Sequence, residues 1–129
     1  MTDQKKEGKL AWLPLHIEGR LANTVDDISA NISSALEREL PPFNDLIMSK
    51  TGAVAIVGSG PSLKQNWEQL KDFDGDVIAC NAAFQFLLER GVVADYFFCF
   101  DADPLIYEFM TPREDVTYLM ASRCPPKAF

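Results

Sequence analysis

Residues 54–63, Val-Ala-Ile-Val-Gly-Ser-Gly-Pro-Ser-Leu, constrain the fold of this 129-residue chain more than any other stretch. An apolar run rich in β-branched residues enters a Gly-Ser-Gly turn without alternation, which predicts a strand buried on both faces of a parallel sheet. After the turn Ser62 is a natural N-cap, and Gln65 stands where a capping box places its acceptor. The stretch therefore reads as strand, glycine turn and helix start. Unpaired N–H groups and partial positive charge at a helix start favour a phosphate or another anion. Gly58 and Gly60 permit positive φ and a close approach of ligand to backbone. The spacing is not the dinucleotide fingerprint, which needs a glycine where Leu63 stands, and no Gly-Lys-Ser/Thr follows to make a P-loop. A well-capped βα turn without a ligand fits this stretch alone equally well.

The length is that of one domain. Hydrophobic residues make up 47% of the chain, nine of them Phe, enough for a core. A net charge of −7 argues against a nucleic-acid backbone as partner but leaves room for one nucleotide at a local anion site. No apolar run approaches the length of a membrane span, and the start Met-Thr-Asp-Gln-Lys-Lys has no signal-peptide apolar region. The expected location is cytoplasmic. Cys80, Cys99 and Cys124 are few, far apart and set in apolar stretches, as buried reduced thiols are.

Residues 1–52 read as an N-terminal tail followed by packing helices. Trp12, Leu13, Leu15 and Ile17 form an apolar patch, either an edge strand or a segment laid over the core. Thr24 caps a helix whose apolar face is Val25, Ile28, Ile32, Ala35, Leu36 and Leu40, ended by Pro41-Pro42. Phe43, Leu46 and Ile47 suggest one more short helix. Residues 53–129 change rhythm. Strands at 53–57, 77–80, 96–100 and 116–121 alternate with helices near 62–72 and 83–90 and a short helical stretch at 105–110. Strand–helix alternation with short turns predicts an α/β fold, a Rossmann-like parallel sheet of about four strands with flanking helices. Right-handed crossovers then suggest the order 3-2-1 with strand four beside strand one.

Ligands of such sheets bind outside the carboxyl ends of the strands. Three polar features stand there: the 58–62 loop, Asn81 after the second strand, and Asp101 with Asp103 after the third. Each alone could merely start a turn or cap a helix. Together on one edge they point to a ligand site.

Gly-Ser-Gly-Pro-Ser-Leu, Cys-Asn-Ala-Ala-Phe and Ala-Asp-Tyr-Phe-Phe-Cys-Phe-Asp-Ala-Asp-Pro, within about residues 53–104, resemble the DUF115 group. That group includes the 6-hydroxymethylpterin diphosphokinases of the MptE-like family and motility-associated glycosyltransferase-like proteins. The pattern is also similar to bacterial sialyltransferases of glycosyltransferase family 42. The resemblance implies a nucleotide or nucleotide-sugar substrate, with Gly58, Ser59, Gly60, Pro61 and Ser62 along its phosphate and sugar and Asn81 at the nucleoside. Asp101 would face the donor or, with Asp103, hold Mg²⁺, which suits hard oxygen ligands. If active, such a protein is a transferase, moving a sugar from a nucleotide sugar or diphosphate from ATP.

Two departures weigh against the sialyltransferase branch. Ser59 replaces the asparagine of their loop, and their histidine base lies downstream of the third strand, whereas His16 lies upstream of the sheet. The pattern reads as the first half of a family domain, a truncated gene or a minimal relative. The rival reading is a non-catalytic binding module, a phage or accessory protein that keeps the fold. A homo-oligomer completed by the 25–40 helix is a third.

Overall fold

The computed structural model describes residues 23–44 and 51–129. The expected segment from Trp12 to Ile17, His16 with it, and the short helix through Leu46 and Ile47 lie outside the described residues.

Four strands form one sheet, β1 (Val54–Val57), β2 (Asp76–Cys80), β3 (Tyr96–Cys99) and β4 (Thr117–Met120). Every pairing is parallel, and helices flank the sheet, so the fold is α/β as the alternation predicts. The strand order differs from expectation. It runs β1-β2-β3-β4, with Tyr96 to Cys99 opposite Thr117 to Met120, so strand four lies beside strand three rather than strand one. Aromatic packing accounts for this position. Tyr118 of β4 sits 5.6 Å from Phe97 and 6.2 Å from Phe84, and Phe84 meets Phe97 edge-on at 5.3 Å. Such contacts add to the area that the three rings bury. The Tyr118 hydroxyl donates to the Thr111 carbonyl at 2.7 Å and accepts from Arg113 N–H at 3.0 Å, which satisfies its polar end.

Burial alternates along the strands. Val57, Val77, Ala79, Phe97 and Cys99 are buried, while Ile56 is 75% exposed and Val54 and Phe98 are exposed as well. The expectation of a first strand covered on both faces is therefore corrected. β1 is an edge strand, and the core lies on one side of the sheet, where Leu63, Ala83, Phe84 and Leu87 pack against it.

The connections are short. α2 (Leu63–Asn66) passes into a 3₁₀ turn, Trp67–Leu70, instead of the single helix expected over 62–72. Only Leu63 of α2 is buried, and so short an anchored segment tightens at its end. α3 (Ala82–Leu88) buries Ala83, Phe84 and Leu87 and stops at Gly91, whose φ of 74° is left-handed. Gly75 sits so near the Ala53 carbonyl and the Phe73 ring that no Cβ fits there, which brings β2 alongside β1.

α1 (Val25–Leu36) begins with a capping box between Thr24 and Asp27, and the Thr24 hydroxyl and N–H hold the Asp27 carboxyl below its usual range. The helix ends earlier than Pro41-Pro42 predicts, in a turn where Glu39 takes φ 50°. Its apolar stripe is only partly used: Ile28, Ile32 and Ala35 are half-buried, while Val25, Leu36 and Leu40 are exposed. α1 leans on the C-terminal segment, where Asn31 Nδ2 donates to the Arg123 carbonyl at 3.0 Å and Arg38 Nη2 to that of Pro126 at 2.8 Å.

Candidate functional site

The 58–62 loop leaves β1 at the carboxyl edge of the sheet, and its residues are all exposed. Neither Gly58 nor Gly60 takes a positive φ, and a Cβ on either would meet nothing within 4 Å. The fold itself thus places no demand for glycine there. Without side chains the two glycines leave the space above the backbone open. The capping box expected at Ser62 does not form: Ser62 is the N-cap, but its side chain makes no cap bond, and Gln65 N–H donates to the Ser62 carbonyl at 3.0 Å. Ser62 has helical φ and ψ, so the chain is already turning and the backbone bond replaces the side-chain one.

A cleft of about 360 Å³ opens beside this loop, lined by Ser59, Gly60, Pro61, Lys64, Ala82 and Phe86 among others. Its size falls within the range of small-molecule sites. Gly58 and Ser62 line a smaller groove of about 240 Å³ that runs along β1. The larger cleft runs from the loop to the start of α3 at Ala82, the residue after Asn81, though Asn81 is not among its lining residues.

Asn81 is the most unusual residue of the edge. Its backbone takes φ 48° and ψ −126°, a conformation that side chains disfavour. Its N–H donates to the Phe98 carbonyl at 3.1 Å and its carbonyl accepts from Phe84 N–H at 3.1 Å, which ties it to β3 and to the first turn of α3. Its Oδ1 is buried and has no hydrogen-bond partner. A strained backbone with an orphaned buried acceptor is the pattern of a residue kept for function.

Asp101 and Asp103 follow β3 as expected, but they do not line the cleft. Asp101 Oδ1 accepts from Asp103 N–H at 3.0 Å, and Asp103 Oδ1 accepts from Leu105 N–H at 2.9 Å, capping the 3₁₀ helix Pro104–Phe109. One oxygen of each carboxylate therefore shapes the turn. Among the described residues no group of three or more His, Cys, Asp or Glu could hold a metal. Two carboxylates still suit Mg²⁺, which keeps several waters and takes the rest of its shell from substrate phosphates.

The cysteines stand close by. All three are free; Cys99 and Cys124 are buried and Cys80 is half-buried. The Cys124 thiol, together with Asp101 N–H at 3.5 Å, draws the Cys99 thiol down to about 7 against the opposing effect of burial. The same Cys99 contact, reinforced by burial, pushes Cys124 up, and burial raises Cys80.

Two cations of this edge are not evident from the strand-end pattern read over the first three strands. Lys64 lines the cleft with Ser59 and Gly60. Arg123 lies just past β4, its guanidinium 5.1 Å from the Phe100 ring and its Nε buried without a partner. The rule that led to Asn81 and Asp101, applied to the fourth strand, leads to Arg123.

A family model described as 6-hydroxymethylpterin diphosphokinase MptE-like matches residues 26–129. Searches of curated proteins and of solved structures gave no significant match.

Proposed function

The chain belongs to the 6-hydroxymethylpterin diphosphokinase MptE-like family, and from that premise we propose that it binds a nucleoside triphosphate at the carboxyl edge of its sheet and serves diphosphate transfer to a hydroxymethyl acceptor. The observation that carries this reading is Asn81: strained, half-buried, its side-chain oxygen unpartnered, and adjoining the cleft of the glycine loop. Backbone N–H groups and the hydroxyls of Ser59 and Ser62 are suited to phosphate oxygens, and Lys64 supplies a positive charge within the same cleft. Asn81 Oδ1 accepts a hydrogen bond from the nucleoside or the acceptor. The acceptor oxygen bonds to the β-phosphorus, the bridge to the α-phosphorus breaks, and the hydroxyl proton passes to solvent. Transfer of this kind depends mainly on positioning and on neutralising charge.

Asp101 and Asp103 would hold Mg²⁺ by the carboxylate oxygens that the turn leaves over. When bound, that ion neutralises charge on the phosphates. The carboxylate pair favours this chemistry over glycosyl transfer from a nucleotide sugar, for which the described residues offer no histidine base.

Thermal shift with ATP, GTP, CMP, CDP and nucleotide sugars, with and without Mg²⁺, tests the reading. ATP or GTP with Mg²⁺ is expected to raise the midpoint by mass action. Gly60→Val, whose Cβ meets nothing in the free protein, is expected to fold within about 0.5 kcal/mol of the parent and to lose the shift. A shift with CMP alone, or equal shifts in parent and Gly60→Val, contradicts it.

A further inference from the structure

We propose that Arg123 is an oxyanion-binding residue of this edge, taking phosphate oxygens of the substrate or product. The proposal rests on the diphosphate-transfer reading and names a residue of the loop after β4, outside the features that follow the first three strands. The chain leaves β4 in a turn that folds over the end of β3. Ala121 N–H donates to the Cys99 carbonyl at 2.9 Å, Cys124 Sγ to the same carbonyl at 3.5 Å, and Cys124 N–H to the Ala121 carbonyl at 2.9 Å. Arg123 is thereby held beside Phe100, the residue before Asp101.

The guanidinium lies within cation–π range of the Phe100 ring. Its Nε is buried and unpartnered, and among the described residues no carboxylate pairs with Arg123. A buried donor attached to a positive charge is costly to leave unsatisfied. Nε–H and a neighbouring Nη–H form the planar fork that matches two oxygens of a phosphate.

The other orphan of this edge has the opposite polarity. Asn81 Oδ1 needs a donor, and Arg123 Nε needs an acceptor. Asn81 directly follows β2 and Arg123 lies three residues past β4, with β3 between the two strands. A ligand with a donor at one end and an oxyanion at the other satisfies both. Nucleotides and phosphorylated heterocycles have that form.

The test is calorimetric titration of pyrophosphate and of ATP into the parent, Arg123→Gln and Arg123→Lys. Asn31 bonds the backbone carbonyl at 123, so both variants keep that contact. Arg123→Gln is expected to weaken both ligands roughly 10- to 100-fold, with Arg123→Lys recovering part of the loss. As a readout in the parent, the Arg123 Nε–H resonance is expected to move on addition of pyrophosphate. Unchanged affinity in folded Arg123→Gln, no pyrophosphate binding by the parent, or a silent Nε–H overturns the proposal. Pyrophosphate binding that Arg123→Gln loses, in a protein that ignores ATP, keeps Arg123 and overturns the nucleotide reading. ATP binding that Gly60→Val loses and Arg123→Gln retains does the reverse.

Discussion

At the scale of the residue, Asn81 holds a φ of 48° and an unpartnered Oδ1, both of which cost stability. Glycine adopts that backbone without strain. Asn81→Gly is therefore expected to raise stability by about 1 kcal/mol in urea unfolding while weakening nucleotide binding in calorimetry. A variant that is both less stable and unchanged in binding would make Asn81 an ordinary turn residue. The Cys99–Cys124 pair adds a pH signature. Cys99 titrates near 7 in the folded protein, and Cys124 holds its proton to higher pH than a free thiol. Below pH 7 both states keep both protons. Between there and about 8.5, where free thiols titrate, the folded state has released one proton and the unfolded state none, so stability rises with pH. Above about 8.5 the unfolded chain releases the proton that folded Cys124 retains, and stability falls. Urea midpoints measured from about pH 6 to 10 should pass through a maximum. In Cys99→Ala the rise should vanish; a rise that persists refutes the assignment.

At the scale of the element, the aromatic contact between Phe84, Phe97 and Tyr118 keeps β4 on β3. Phe97 is fully buried, and Phe97→Ala is expected to cost about 3–5 kcal/mol and to loosen β4 first, as earlier amide exchange over 117–120 than over 76–80. Simultaneous exchange of both strands would remove the local role. The strands, α3 and its stop at Gly91 are legible in the sequence because apolar runs bounded by glycine and aspartate are local signals. The order of the strands is not. Crossover handedness permits β4 on either side, and the choice falls to ring contacts between residues far apart in the chain. The expected capping box at Ser62 and the longer expected α1 fail for a related reason: the residue types are right, but backbone bonds and the Glu37–Glu39 turn decide the ends.

At the scale of the whole molecule, one packed face and one carboxyl edge divide the labour. The helices and rings on one side of the sheet hold the strands, and the proposed ligand site draws on the residues after them. Much of that edge is readable in advance because the strand-end rule needs only the strands. Arg123 is reached only when the rule is carried on to the loop after β4, and Lys64 escapes it because it lies on α2, where only folding brings it to the cleft. The charge of −7 makes such local cations matter, since the protein as a whole repels a triphosphate. The most direct measurement is an amide-resolved NMR titration of the protein with ATP and Mg²⁺. Shifts gathered at Gly58, Ser59, Gly60, Asn81 and Asp101, with Val54, Asp76 and Thr117 at the opposite ends of the strands silent, are the expected result. Shifts gathered on α1, or none at saturating ATP, would contradict a nucleotide site at this edge.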